Sequence, residues 1–300
     1  MATLYTYAES NTRKTWLLMT GFLVLIIGLG WLFSYLFDNQ IILIIALIFA
    51  FSQSFLSYWY SDKIVLAMTR AKPIEKRDNP ELYRIVENLC LTAGLPLPKI
   101  YIIDEPQPNA FATGRDASHA VVAVTRGLLE KLEKSELEGV IAHELSHIGN
   151  KDMLLQTVVV ILVGVVAILS DFFLRISFWG GLKRRDERDS GEAILMFLGL
   201  LAALLAPIAA ILIQLAISRK REFLADAGGA LLTRYPEGLA RALEKISTDQ
   251  NYLKVANNST AHLFIVNPFR GKQTTNWVTK LFMTHPPIEE RIRALRGMNL

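Results

Sequence analysis

Four long runs of apolar residues dominate the hydrophobic pattern of this chain, at residues 16–37, 41–58, 153–173 and 194–217. Each run is long enough to cross a hydrocarbon core of about 30 Å as a helix. The second run is the shortest, and Ser52, Gln53 and Ser54 interrupt it. The pattern predicts four transmembrane helices, arranged as two hairpins.

The segments outside these runs carry shorter patterns that are typical of a soluble domain. Asn79 and Pro80 suit the cap and first position of a helix whose apolar positions recur until Gly94. A second helix is expected to begin at a capping box formed by Ser135 and Glu138. Short strands are predicted at residues 99–104, 109–114 and 119–125.

These patterns divide the chain into two hairpins and one interrupted soluble domain. The first hairpin takes residues 1–60, and the second takes residues 153–217. Residues 61–152 and 218–300 together form the soluble domain, which is enough chain for one fold of ordinary size. Basic residues precede the first run, as in a signal peptide, but the run is longer than the roughly 7–15 apolar residues of such a segment. We therefore expect a retained anchor.

Composition and charge also indicate a membrane protein. Of the 300 residues, 52% are hydrophobic, which is too apolar for an ordinary soluble protein. The net charge is +4, and basic clusters lie beside the predicted spans at residues 13–14, 63–77 and 219–221. The positive-inside rule places these clusters on the cytoplasmic side, against the lipid bilayer, with no nucleic-acid partner. Basic residues at 183–188 contradict this topology, so whether spans three and four cross fully stays open.

Three residues that often carry chemistry are assigned to structure instead. Cys90 is the only cysteine, which excludes an intrachain disulfide and a cysteine-rich metal site. Its place on the first predicted helix indicates core packing. His119 and His262 are lone histidines, and a lone histidine is more often structural than a ligand, so both are left out of the predicted site.

The segment HELSH carries the candidate chemistry. His143 and His147 lie four residues apart, so a helix places both imidazoles on one face, where they converge on one metal ion. Glu144 follows the first histidine and lies beside that ion, where it can accept a proton from a water molecule. The pattern predicts a catalytic zinc site with Glu144 as its acid–base residue.

A third ligand is expected from the segment SRKREFLADAGG. Glu222 and Asp226 share one helical face there. We expect Glu222 to bind the metal and to leave a fourth position open, while Asp226 accepts a hydrogen bond from the outer nitrogen of a histidine ligand. Two predicted spans separate His147 from Glu222, and an even number of crossings returns the chain to the same side. The two spans then hold the site at the membrane surface.

Further residues are expected to bind the substrate and to stabilise the transition state. An exposed strand edge beside the metal can bind an extended peptide through backbone hydrogen bonds. This predicted strand contains Asn109, Ala110, Phe111 and Ala112. His285 lies at the start of a C-terminal helix that also carries Arg291, and its imidazole can stabilise an oxyanion.

Together, these motifs resemble the membrane-integrated zinc metallopeptidases of the HtpX family, which are relatives of the CAAX prenyl endopeptidase. The resemblance covers nearly the whole chain, in the order paired N-terminal spans, NAFATG, HELSHIGNKD, two more spans, REFLAD and HPPIEERI. It implies an α-helical membrane protein with four transmembrane helices. It also implies an α+β, zincin-like metalloprotease domain of the gluzincin type, with one Zn²⁺ per subunit.

The resemblance implies a role for each candidate residue. It makes Glu144 the general base that later protonates the leaving amine, and it places Asp226 behind a metal ligand. It assigns His285 and Arg291 to the transition state and the edge strand to substrate binding. The implied zinc ligands are His143, His147 and Glu222.

The resemblance further implies a zinc endopeptidase of the bacterial inner membrane that cleaves misfolded or damaged membrane proteins, or unfolded polypeptides, on the cytoplasmic side. The prenyl endopeptidase has more spans than the four predicted here, which argues against the processing of prenylated C termini. Two other classes stay open. They are a membrane adaptor with a structural zinc ion, and an ion transporter that uses Asp171 or Gln156 within the membrane.

Overall fold

The computed structural model describes residues 4–36, 38–183, 200, 219–256, 259–266, 268 and 286–298. These residues form ten α-helices and four β-strands. The helices are α1 Leu4–Leu36, α2 Gln40–Trp59, α3 Ser61–Met68, α4 Pro80–Ala93, α5 Arg126–Lys131, α6 Lys134–Gly149, α7 Asp152–Lys183, α8 Arg219–Thr233, α9 Pro236–Ser247 and α10 Ile288–Arg296. The strands are β1 Lys72–Pro73, β2 Lys99–Ile103, β3 Ala110–Thr113 and β4 Val121–Thr125.

Three long apolar helices match the first three predicted spans. The stretches that are long and apolar enough to cross a membrane are Ser10–Tyr35 of α1, Gln40–Trp59 of α2 and Asp152–Asp171 of α7. Helices α1 and α2 form an antiparallel hairpin, in which Trp16 stacks on Tyr58 with ring centroids 5.7 Å apart. Apolar side chains of this hairpin, such as Ile48, remain exposed, as contact with lipid requires. The fourth predicted span, residues 194–217, lies outside the described residues apart from Leu200.

Helix α7 packs against the hairpin and begins beside the start of α1. Buried apolar side chains of the three helices, including Phe22, Ala50 and Val159, form one cluster. The side-chain amide of Asn11 on α1 donates to the backbone carbonyl of Asn150, just before α7. The start of the candidate span in α1 and the start of α7 therefore lie at the same level, next to the soluble domain.

A four-stranded mixed sheet forms one layer of the soluble domain, in the order β1-β2-β4-β3. Strands β2 and β4 are parallel, with Ile100 opposite Val122. Strand β3 is antiparallel to β4, with Phe111 opposite Ala123, and it forms one edge of the sheet. The three predicted strands are confirmed to within two residues at each end. The two-residue strand β1 was not predicted, because it is too short to show an alternating pattern.

Helix α4 forms as its sequence predicts. The side chain of Asn79 accepts a hydrogen bond from the backbone N–H of Leu82 at 3.0 Å, and Pro80 occupies the first turn. The helix ends at Gly94, whose φ of 65° lies in the left-handed region that glycine adopts readily. Cys90 is buried in the main core, as expected.

Helix α6 lies at the centre of the soluble domain and packs against β3, α4, α8 and α9. Its predicted capping box was wrong by two residues. The helix begins at Lys134, and the carboxylate of Glu136, rather than that of Glu138, accepts from the backbone N–H of Glu133 at 2.8 Å. An acidic residue serves as the cap here in place of Ser135, so the serine pattern misplaced the helix start.

Candidate metal centre

The structure brings His143 and His147 of α6 together with Glu222 of α8. The two Nε2 atoms lie 3.2 Å apart. A carboxylate oxygen of Glu222 lies 3.7 Å from Nε2 of His147, and the other lies 4.0 Å from Nε2 of His143. All three side chains are buried. Among the described residues, these three form a group whose ligand atoms all lie within 4.8 Å of one another.

Small residues on α8 allow this close approach. A Cβ atom added to Gly229 would lie 2.9 Å from the backbone nitrogen of His143, and one added to Gly228 would lie 2.7 Å from Oγ of Ser146. At such distances an added Cβ atom would force the backbone of His143 or the side chain of Ser146 to shift. The Gly-Gly pair therefore lets α8 pack directly on α6, which carries Glu222 to the two histidines.

The spacing and chemistry of these three side chains fit a zinc ion. In a tetrahedral site with metal–nitrogen bonds of about 2.0–2.1 Å, ligand atoms lie roughly 3.3–3.4 Å apart, close to the separation of the two Nε2 atoms. Both Nδ1 atoms face carboxylates, which favours the proton on Nδ1 and leaves a lone pair on each Nε2. Two buried lone pairs and a carboxylate that face one another are stabilised by a cation between them.

Each histidine has a carboxylate behind it. Nδ1 of His147 forms a 3.0 Å hydrogen bond with Oδ2 of Asp152, the first residue of α7. Nδ1 of His143 lies 3.0 Å from Oδ1 of Asp226, although the N–H is not aligned for a good hydrogen bond. The expected contact between Asp226 and a histidine is therefore present as a short charge contact. Such outer carboxylates orient the imidazole and raise its basicity as a ligand.

Arg291 of α10 is fully buried, and its guanidinium group is held by protein groups. Its Nε and Nη2 donate to the two oxygens of Asp226 at 2.8 and 2.7 Å. Its Nη1 donates to the carbonyl of Ile265 at 3.1 Å and lies 3.7 Å from Glu222. This bidentate pair connects α10 to both acidic residues of α8.

The N-terminal helix also reaches the metal centre. The side-chain amide of Asn11 on α1 donates to Oδ1 of Asp152, whose other oxygen binds His147. In turn, Nη1 of Arg221 donates to Oδ1 of Asn11 at 3.3 Å. Arg221 is buried, so the expected contact of the basic cluster with lipid headgroups does not hold for this residue.

The two buried acids Glu144 and Asp226 have pKa values shifted in opposite directions. Burial raises the pKa of Glu144 to about 7, which suits a group that accepts and returns a proton near neutral pH. Burial alone would raise the pKa of Asp226 as well, but the charge of Arg291 lowers it to about 2.

The strand edge expected to bind a peptide is buried. Asn109 and the residues of β3 are at most 3% exposed. The carbonyl of Ala110, which faces away from β4, accepts from the backbone N–H of Ile265 at 3.1 Å. The side-chain amide of Asn109 donates to the carbonyl of Val266 at 3.0 Å. The expectation of an exposed edge was therefore wrong at this end of the strand, because a distant segment of the chain pairs with it.

Other predicted residues lie away from the centre or outside the described chain. His285 lies outside the described residues. His119 is bound by Asp116, and Nε2 of His262 contacts the carbonyl of Gln156 at 3.1 Å, so neither joins the three ligands. Asp171, the residue that raised the alternative of ion transport, ends its span and pairs with an arginine one turn later.

Sequence patterns missed Asp152 and Asn11. Asp152 follows His147 by five positions, which is not the spacing of neighbours on one helical face. The two side chains meet because the chain turns at Lys151, where φ is 56°. An acidic residue at the first position of a membrane span was the available signal. Asn11 carries no comparable signal, since its partner lies 141 positions away.

Comparison with known proteins shows the family. Residues 76–299 match the model of Peptidase family M48. A protease HtpX homologue of Caldanaerobacter subterraneus subsp. tengcongensis is 47% identical over an alignment of 301 positions, which covers 99% of this chain and 99% of the relative. A protease HtpX homologue of Pyrococcus furiosus is 50% identical over 285 residues, which are 94% of each chain.

A crystal structure of Ste24p from S. mikatae has a similar fold. The TM-score is 0.50 at 22% sequence identity, and the match covers 94% of this chain and 67% of the other. This likeness concerns the fold, whereas the family follows from the sequence matches. The HExxH helix, the apolar spans and these matches agree, and the chain belongs to peptidase family M48, as a membrane-bound metalloprotease.

Proposed function

We propose that this chain is a zinc endopeptidase whose metal ligands are His143, His147 and Glu222. The observation that supports this proposal is the convergence of the three buried side chains within 4.8 Å, with Glu144 beside them on the same helix. Two imidazoles and one carboxylate are a ligand set that catalytic zinc sites use, with one position left for water.

Glu144 transfers the protons in the proposed reaction. A zinc ion held by these ligands would polarise the scissile carbonyl and lower the pKa of a water molecule in the open position. Glu144 would accept a proton from this water, and the water oxygen would attack the carbonyl carbon. When the C–N bond breaks, Glu144 would give the proton to the departing nitrogen.

Buried neighbours keep the ligands in place. We assign positioning roles to Asp152 behind His147 and to Asp226 behind His143. Arg291 positions Asp226 and Glu222, because it donates two hydrogen bonds to Asp226 and its Nη1 lies 3.7 Å from Glu222. We retain His285 as a candidate for oxyanion stabilisation.

We still propose the edge of β3 as the substrate strand, but only at its Ala112 end. The carbonyl of Ala110 accepts from Ile265, whereas Ala112 lies beside Glu144. We propose that an extended peptide pairs with the Ala112 end of the strand, because this end lies next to the acid–base residue. The buried Asn109 and Phe111 support this strand from within the fold.

We further propose that the catalytic domain lies on the cytoplasmic face of a bacterial inner membrane and cleaves misfolded or damaged membrane proteins or unfolded polypeptides. Basic residues beside the starts of α1 and α7 support this orientation through the positive-inside rule. The resemblance of the motifs to the HtpX family supports the substrate class.

The variant Glu144→Gln tests the proposed reaction. It should keep its metal but lose about a hundred- to ten-thousandfold in turnover, because proton transfer contributes that much. The assay follows cleavage of casein or of an unfolded membrane protein, together with metal analysis of the purified variant. The matched control is Glu138→Gln on the same helix, which should cleave like the wild type.

Chelation separates the protease from its two alternatives. Wild-type cleavage should stop with a chelator and return with zinc, whereas an adaptor or an ion transporter would cleave nothing in either state. A Glu144→Gln variant that cleaves at the wild-type rate would refute the proposed role of this residue.

A further inference from the structure

A large groove lies beside helix α6, and no residue of β3 lines it. It has a volume of about 1540 Å³ and is formed by the start of α1, the ends of α4 and α6, and α8. Its apolar walls include Trp16, Leu95, Leu145, Leu224, Leu231 and Leu232. No residue of the metal centre lines it.

The charged side chains that line this groove are all positive. Arg13 of α1, Lys151 between α6 and α7, and Arg234 after α8 line it, and all three are exposed to solvent. No acidic residue lines the groove among the residues that the structure describes. An occupant therefore meets an apolar interior and a positively charged rim, which favours an amphiphile with a negative headgroup.

The groove lies at the level of the membrane surface. Arg13 lies three residues into the candidate span of α1, and Lys151 directly precedes that of α7. Trp16, in the groove wall, stacks on Tyr58 near the end of α2. Tryptophan and tyrosine concentrate at the height of lipid headgroups. Leu231 lines the groove and is 52% exposed, so the apolar wall opens outward.

We propose that this groove binds one anionic phospholipid, with its headgroup at the basic rim that includes Arg13, Lys151 and Arg234 and an acyl chain along the leucines. Small-molecule sites usually measure about 300–1,000 Å³, so this groove has room for a larger ligand. Its apolar walls favour a hydrocarbon chain over a soluble phosphate compound. The bilayer around α1 and α7 supplies such a lipid directly.

A lipid in this position would contact the metal helix. Leu145, Ser146 and Gly149 of α6 line the groove, and Gly228 of α8 lies against Ser146. The bound lipid would thus bridge α1, α4, α6 and α8. We expect it to stabilise the packing of the soluble domain on the membrane hairpin.

Lipid retention by the full-length protein tests the proposal. The protein is equilibrated with equal amounts of phosphatidylglycerol and phosphatidylcholine, and retained lipids are counted by native mass spectrometry. The wild type should retain one phosphatidylglycerol in preference. The triple variant Arg13→Gln, Lys151→Gln, Arg234→Gln should retain it at least tenfold less, because each basic residue near an anionic surface contributes about fivefold.

A matched triple variant separates this site from general surface charge. Lys14→Gln, Lys63→Gln and Lys72→Gln remove the same charge at exposed positions outside the groove and should keep the lipid. Equal loss of phosphatidylglycerol from both triple variants would refute a specific site. So would a wild type that retains neither lipid in preference.

Two further measurements test the apolar part of the site. Thr92→Trp places an indole in the groove at the end of α4 and should reduce lipid retention with all three cations intact. Glycerol phosphate alone should not displace the lipid. If it binds as tightly as the lipid does, the site recognises a free phosphate compound and the lipid assignment is wrong.

Discussion

Asp152 connects a metal ligand to the membrane part of the protein. One of its oxygens binds His147, and the other accepts from Asn11 of the first membrane helix. Asp152 and Asn11 are both buried, so neither contact is weakened by bulk water. The orientation of His147 therefore depends on a residue in the first turns of α1.

We predict that Asp152→Asn weakens metal binding by about 10–100-fold, the usual effect of changing an outer carboxylate of a metal site. The amide keeps the shape of the side chain but loses the charge that raises the basicity of the imidazole. The measurement is the metal dissociation constant from competition with a chelator, with the absorption spectrum of the cobalt form as a second readout.

Asn11→Ala should weaken metal binding in the same direction but by less, because it acts through Asp152. Thr12→Ala, at the neighbouring position, is the control and should bind metal like the wild type. If Asp152→Asn folds normally and its dissociation constant and cobalt spectrum equal those of the wild type, Asp152 has no positioning role.

Residues with local patterns were predictable, and residues with distant partners were not. The spacing of His143 and His147 follows from one helical turn, and the contact of Asp226 with a histidine follows once Glu222 is a ligand. The two hydrogen bonds from Arg291 to Asp226 join residues 65 positions apart, so no local pattern could predict them.

Among the secondary-structure elements, the contact between α6 and α8 determines the geometry of the metal centre. Gly229 lies against the backbone of His143, and Glu222 lies two turns earlier on the same helix. A change in the distance between the two helices therefore moves Glu222 relative to both histidines.

We predict that Gly229→Ala lowers both stability and metal affinity. The new Cβ would lie 2.9 Å from the backbone nitrogen of His143, so the helices must separate by a few tenths of an ångström. Overpacking of this kind costs about 1–3 kcal/mol, more than the gain of about 1 kcal/mol from the helix propensity of alanine. Thermal unfolding and chelator competition measure the two effects.

The control is Gly149→Ala at the end of α6, where no atom lies within 4 Å of the added Cβ. It should leave stability unchanged or raise it slightly. If the Gly229→Ala protein is as stable as the wild type and binds metal as tightly, α6 and α8 can accommodate a methyl group here without moving Glu222.

Element positions were largely predictable because hydrophobic runs and caps are local signals. Helix α4 and strands β2, β3 and β4 lie where the pattern placed them. The start of α6 was misplaced because an acidic cap replaced the expected serine. The order β1-β2-β4-β3 and the pairing of Ile265 with Ala110 depend on tertiary contacts, which no run of residues encodes by itself.

In the whole molecule, the proposed metal ion joins two segments that are far apart in sequence. His147 precedes α7 and the apolar residues 194–217, and Glu222 follows them. A ligand that binds the folded form alone stabilises it by about 2.7 kcal/mol at a hundred times its dissociation constant.

We therefore predict that removal of the metal by a chelator lowers the melting temperature of the full-length protein by about 5–10 °C, since 1 kcal/mol corresponds to roughly 2–4 °C in a domain of 150–250 residues. Addition of zinc should restore it. In His147→Ala, chelator and zinc should leave the melting temperature unchanged, and a wild type with the same lack of response would show that the metal does not join the two segments.

The position of Glu222 on α8, 75 residues after His147, also bears on the synthesis of the protein. A nascent chain acquires both histidines long before residue 222 leaves the ribosome. Until then it holds an incomplete ligand set and no competent protease. Hydrolytic activity would thus arise only after the whole segment between His147 and Glu222 has been synthesised, so the ribosome-bound chain could not digest itself or its neighbours before then.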